Sequence, residues 1–158
     1  MSMGLYQKLM REPVSALELR ELITVQPSTT VREAILRMQQ NRLGCVAVVD
    51  SDGRPVGKFT ERLLIRLLLT DSAALGEPVS QHMNAPWSTV TRDDSIARLI
   101  DCMESGRLRY VCVVDGDGRA EALVGQKGVT KFLADQFPRE VKVQLMTSKQ
   151  HMDQREGA

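Results

Sequence analysis

The sequence predicts an α+β protein, α/β-like in its local order. It consists of two β-α-β-β-α units in tandem about an approximate two-fold axis, closed into one compact module. Three observations predict this. The chain repeats itself at a fixed offset, each copy carries the same succession of helical and strand patterns, and the connector between the copies is short.

Shifted by 65 positions, the sequence aligns to itself without a gap and gives 18 identities over the 57 positions from Glu12 to Leu68. Glu12-Pro13-Val14-Ser15 falls on Glu77-Pro78-Val79-Ser80, and Thr24-Val25 on Thr89-Val90. Arg42-Leu43 falls on Arg107-Leu108, and Asp52-Gly53-Arg54 on Asp117-Gly118-Arg119. Ordinary composition gives about one chance match in twenty, so the chain is a duplication.

Each copy opens with a short strand, near Ile23–Val25 or Ser88–Val90. Thr29 or Thr30 can cap the following helix in the first copy, and Asp94 or Ser95 in the second. Val31, Ala34, Ile35 and Met38, like Ile96, Leu99, Ile100 and Met103, form an i, i+3, i+4, i+7 stripe on one helix face. The unbroken apolar runs Cys45–Val49 and Tyr110–Val114 predict strands buried on both faces. Asp50-Ser51-Asp52-Gly53 and Asp115-Gly116-Asp117-Gly118 predict hairpins into third strands at Pro55–Phe59 and Ala120–Val124. A second helix closes each unit, at Glu61–Thr70 and about Lys127–Gln136. Alone, each unit leaves one sheet face open, and pairing the two buries both faces.

The flanks are plainer. Residues 1–11 are expected as a helical leader, 12–71 as the first motif, 72–137 as the second and 138–158 as an arm and tail. Gly4–Leu19 reads as a leading helix interrupted near Pro13, and Val141, Val143, Leu145 and Met146 suit a short arm.

Composition narrows the function. Lys+Arg is 21 against Asp+Glu 20, and aromatics are 4%, which argues against a nucleic-acid partner that needs clustered cations or stacking rings. No apolar run approaches the length that spans a bilayer, so no membrane insertion is expected. Cys45, Cys102 and Cys112 have no C-x-x-C spacing, and His82 and His151 stand apart, so neither a metal nor a disulfide framework is expected. The chain is read as soluble, reduced and cytoplasmic. No nucleophile–base set is visible, and the paired aspartates are hairpin turns, so the chain is read as not an enzyme.

Thr24-Val25, Pro27, Thr30-Val31, Glu33-Ala34 and Met38, followed by Val46, Val48-Val49-Asp50, Asp52-Gly53-Arg54-Pro55-Val56-Gly57 and Phe59-Thr60-Glu61-Arg62, resemble the cystathionine-β-synthase (CBS) domain. A weaker version runs from Thr89 to Lys127. The resemblance covers Glu12 to roughly Gln136 and implies a stand-alone tandem pair, often called a Bateman module. It implies a regulatory role, dimerisation into a disc, and adenosine-type ligands (AMP, ADP, ATP or S-adenosylmethionine) in clefts between the copies, with no cofactor required.

The family's nucleotide motif is a Thr or Ser followed three residues later by Asp. The first copy keeps Thr60 but has Leu63 at the Asp position, and the second has Gly125 and Gly128. A leucine accepts no hydrogen bond, and each unsatisfied buried hydroxyl costs about 1–3 kcal/mol. The resemblance implies a first cleft at Ile23, Thr24, Gly44, Cys45, Lys58, Thr60, Glu61 and Arg62, and a weaker second at Trp87, Ser88, Arg109, Tyr110, Gln126 and Lys127. Thr60 also reads as a simple N-cap with Glu61 and Arg62 in a solvated first turn, and Trp87 and Tyr110 either stack on a purine or fill space. The reading is a non-catalytic module that binds an adenosine-type nucleotide or related small anion and signals to a separate protein. The alternative is a pair that has lost nucleotide binding and acts as a dimerisation scaffold, through the leucine-rich helix Glu61–Thr70.

Overall fold

A computed structural model describes residues 4–136; the expected arm at 138–158 lies outside the described residues. The chain divides into two compact units, Met1–Gly125 and Gln126–Ala158. The first holds both sheets.

The leading helix α1 (Leu5–Arg11) stops short of Pro13, because the residue before a proline is driven to extended backbone, and Glu12 sits at ψ 131. The interruption expected near Pro13 is therefore present, and beyond it only a single 3-10 turn at Val14–Ala16 forms.

The first sheet comprises β1 (Thr24–Val25), β2 (Cys45–Val49) and β3 (Pro55–Thr60), in the order β1-β2-β3. The second comprises β4 (Thr89–Thr91), β5 (Tyr110–Val114) and β6 (Ala120–Gly125), in the order β4-β5-β6. In each, the first pair is parallel and joined through a helix, and the second pair is an antiparallel hairpin.

The crossover helices are α2 (Val31–Asn41) and α4 (Ile96–Gly106). Thr30 Oγ1 accepts the Glu33 N–H at 3.2 Å, and Ser95 Oγ accepts the Arg98 N–H at 3.1 Å, which settles both caps. Arg42 (φ 52) and Arg107 (φ 50) end the helices in the left-handed region at equivalent positions. In the hairpins, Asp50 Oδ1 accepts from the Asp52 and Arg54 N–H groups at 2.9 and 3.0 Å, and Asp115 does the same for Asp117 and Arg119. Gly53 and Gly118, both at φ 80, complete the turns.

The alternation of β2 divides the interior. Val46, Val48 and Phe59 pack with Val31, Ala34 and Met38 of α2. Cys45, Ala47 and Val49 face the other way and pack with Cys112, Val114, Leu123 and Trp87. The two sheets therefore meet face to face, as the open faces require.

The leaders of the two copies are exchanged. Val14 N donates to Asp94 O (2.8 Å), Ser15 N to Arg92 O (3.0 Å), and Ile96 N to Glu12 O (2.9 Å). Sixty-five residues on, Val79 N donates to Thr29 O (2.7 Å), Ser80 N to Pro27 O (3.2 Å), and Val31 N to Glu77 O (3.0 Å). Arg20 pairs with Leu123, and Asn84 with Lys58. Each copy's leading segment thus completes the other copy. This is the job of the repeated Glu-Pro-Val-Ser.

After β3 comes α3 (Glu61–Thr70), whose Leu63, Leu64 and Leu67 pack on the first cluster. In the second unit, α5 (Gln126–Gln136) carries an internal bond from the Thr130 hydroxyl to the Gln126 carbonyl at 3.1 Å. Among the described residues no helix is long and apolar enough to cross a membrane.

Candidate functional site

The β2–β3 ladder gathers much of the expected first cleft. Cys45 lies opposite Thr60, and Ala47 opposite Lys58. Glu61 N donates to Gly44 O at 3.0 Å, and the Glu61 carboxyl lies so near Gly44 that a Cβ there would stand 3.2 Å from it. Thr60 Oγ1 accepts the Leu63 N–H at 3.3 Å, so Thr60 serves as the N-cap of α3. Arg62 is exposed in the first turn of α3. Ile23 is half-buried against the α2 cluster, its carbonyl accepting the Ala47 N–H, and the Thr24 carbonyl accepts from Arg37 at 3.1 Å. Leu63, at the position of the family's carboxylate, packs into the core instead.

In the second copy, Trp87 is buried and its Nε1 donates to the Tyr110 carbonyl at 3.2 Å. Tyr110 lies opposite Gly125, and its ring covers the bare glycine. Ser88 and Arg109 are exposed. Gln126 and Lys127 begin α5, in the second unit.

Lys58 and Trp87, expected in separate clefts, are brought together: Lys58 Nζ stands 5.7 Å from the centre of the Trp87 ring. The exchanged leader explains it. Lys58 N and Asn84 O, and Asn84 N and Lys58 O, bond at 2.9 Å, which lays the chain leading to Trp87 along β3. Gly57 permits that approach, because a Cβ there would meet Met83 Sδ at 2.6 Å and the Asn84 carbonyl at 2.8 Å. Sequence periodicity misses this contact because the exchange is long-range; the repeated leaders were its only signal.

Lys58 is the buried charged side chain among the described residues, 8% exposed. Burial lowers its pKa below the ordinary lysine value, and the neighbouring Cys45 partly opposes that. Burial pushes the Cys45 thiol up to about 12, with Lys58 pulling back and Cys112 adding to the rise. Burial likewise raises Cys112 to about 12, opposed by a backbone hydrogen bond from Glu121. Thiols held protonated this firmly are inert core groups. Among the described residues no group of three His, Cys, Asp or Glu side chains is placed to hold a metal ion.

Two small sheets pressed face to face, each completed by the other's leader, with a polar site on β3 at their seam, define a duplicated paired-sheet module. The family model for the CBS domain matches residues 9–70 and 79–135. The chain belongs to the CBS domain family, as a tandem pair.

A 17.7 kDa protein from the bps2 3′ region of Acidianus ambivalens is 26% identical over 126 residues, spanning 80% of this chain and 76% of that one. Protein MJ1404 of Methanocaldococcus jannaschii is 28% identical over 142 residues, and the match covers 81% of this chain but 34% of that longer protein. Among solved structures, the CBS-domain containing protein ATU1752 from Agrobacterium tumefaciens is 30% identical at TM-score 0.64, covering 71% of this chain and 89% of that one. CBS domain protein PAE2072 from Pyrobaculum aerophilum, complexed with AMP, is 24% identical at TM-score 0.69, covering 85% and 98%. The CBS domain pair of protein MJ0100, in complex with 5′-methylthioadenosine and S-adenosyl-L-methionine, is 18% identical at TM-score 0.70, covering 78% and 97%.

Proposed function

We propose that the chain is a non-catalytic regulatory module that binds an adenosine-type nucleotide at the β2–β3 edge of the first copy and passes ligand state to a separate protein. The observation that carries this is the polar group set into an otherwise apolar seam: Lys58 under Trp87, beside Cys45 and two residues from Thr60. AMP in PAE2072 and S-adenosylmethionine with methylthioadenosine in MJ0100 supply the ligand class. The positive end of the α3 dipole, and the exposed Arg62 in its first turn, favour an anion there. The cell compartment proposed is the cytoplasm, where the three free thiols stay reduced.

A thermal-shift panel with AMP, ADP, ATP, S-adenosylmethionine and NAD tests the reading. A ligand at a hundred times its Kd adds about 2.7 kcal/mol of stability. No shift with any of them at millimolar concentration transfers the role to the second reading, a scaffold acting by association.

One observation favours association in its own right. On α3, Ile65, Leu68 and Leu69 are 61%, 53% and 83% exposed. We assign this face to a homodimer contact, which light scattering at tens of micromolar tests; a monomer mass removes the assignment.

A further inference from the structure

The internal two-fold is broken between the sheets, at Lys58 and Trp87. The counterpart of Lys58, 65 residues on, is Leu123, and the counterpart of Trp87, 65 residues back, is Leu22. Both leucines belong to the apolar cluster between the sheets. One position at the seam therefore carries two leucines. Its equivalent holds an ammonium and an indole.

Among the described residues no ion pair includes the Lys58 ammonium, which stands over the Trp87 ring and interacts with the protonated Cys45 thiol. Among the described residues no side-chain nitrogen or oxygen is sealed from solvent without a partner. The ammonium, for which no hydrogen-bond partner is seen among the described residues, is therefore not fully sealed although the residue is 8% exposed. A cation set so deep, with no carboxylate of the described residues beside it, is arranged to receive an anion.

We propose that each chain binds one anionic ligand, through Lys58 beside the buried Trp87, and that this site selects a phosphorylated nucleoside over the neutral nucleoside and over S-adenosylmethionine. This rests on the adenosine-ligand reading and adds charge, selectivity and stoichiometry to it. S-adenosylmethionine carries a sulfonium and an ammonium against one carboxylate, so its net charge repels Lys58, whereas a nucleoside phosphate is a net anion and attracts it. The equivalent position, with Leu123 in place of Lys58, offers no cation to a second anion.

Trp87 is the single tryptophan of the chain, so its emission reports the site directly. The full chain is titrated with AMP, adenosine, S-adenosylmethionine and inorganic phosphate, with excitation at the red edge of the tryptophan band. AMP is expected to quench Trp87 with one equivalent per chain and to bind about tenfold or more tighter than adenosine, as a charge-assisted hydrogen bond provides. S-adenosylmethionine is expected to bind more weakly than adenosine. Lys58→Leu, which copies the second repeat, should fold with undiminished thermal stability and bind AMP no better than adenosine, while Lys58→Arg keeps a preference for AMP. Equal affinities for AMP and adenosine, two equivalents of AMP per chain, or AMP binding unaltered in Lys58→Leu would overturn the proposal while leaving the adenosine reading intact. Quenching by phosphate without any nucleoside selectivity supports the anion site and removes the adenosine reading. No response in emission or thermal shift to any of the four removes both.

Discussion

The ring of Tyr110 lies across the backbone of Gly125, where a Cβ would stand 3.2 Å from Cε1. In the first copy the same register holds Cys45 opposite Thr60. The repeats have exchanged a small-plus-polar pair for a large-plus-empty one. The second copy thereby loses the hydroxyl of the nucleotide motif and fills its place with a ring.

Gly125→Thr should consequently destabilise the protein, by about 1–3 kcal/mol as an overpacked core does. Adding Tyr110→Cys, which rebuilds the first copy's pair, should recover part of the loss. Urea unfolding of the two single variants and the double variant measures the coupling, expected at about 0.5–3 kcal/mol. Strict additivity would mean that the ring and the glycine do not share space.

Gly57 is required for a different reason. Its missing side chain leaves room for Met83 and the Asn84 carbonyl of the exchanged leader. Gly57→Ala should cost more than the alanine substitutions at the helix caps, because the Asn84 carbonyl is backbone and cannot swing away. Chemical denaturation checks this, and faster hydrogen exchange at the Lys58 and Asn84 amides should accompany it.

The caps offer a paired test. Thr30→Ala and Ser95→Ala each remove an acceptor for a first-turn N–H, and each should lower stability by about 1 kcal/mol. Similar losses are expected because the two helices start at equivalent positions of the duplicated fold. Urea midpoints of the two variants at constant m-value read the effect.

Much of this was legible in advance because it is local. Helix stripes, strand runs, hairpin turns and the duplication itself depend on neighbours a few residues apart, and β2, β5 and α3 carry the predicted boundaries. The exchange of leaders was not legible, since nothing near Val14 or Val79 shows that its partner lies 80 or 50 residues away, at Asp94 or Thr29. The site suffered most from this. The resemblance puts Lys58 and Trp87 in different clefts, each with its own repeat, whereas the fold joins them.

The buried thiols set an alkaline limit. Unfolded, each ionises near 9.0; folded, Cys45 and Cys112 hold their protons to about 12. Below the unfolded value both states are protonated and the contribution is complete. Above it the folded state binds more protons than the unfolded, so stability falls, by about 1.4 kcal/mol per pH unit for each thiol. Lys58 has the opposite sign, because its lowered pKa lets the folded state release a proton before the unfolded chain does at 10.5. Urea midpoints between pH 8 and 11, in wild type, Cys45→Ala and Cys112→Ala, should show the fall in wild type and a shallower one in each variant. At neutral pH a thiol reagent should modify the half-exposed Cys102 quickly and the other two only on unfolding.

The most direct measurement is a crystal structure of the full chain grown with AMP. The account predicts one nucleotide per chain, its phosphate on Lys58 and its base or sugar against Trp87. A nucleotide seated at the Leu22–Leu123 position, or Lys58 left without an anion while AMP binds elsewhere, would contradict it.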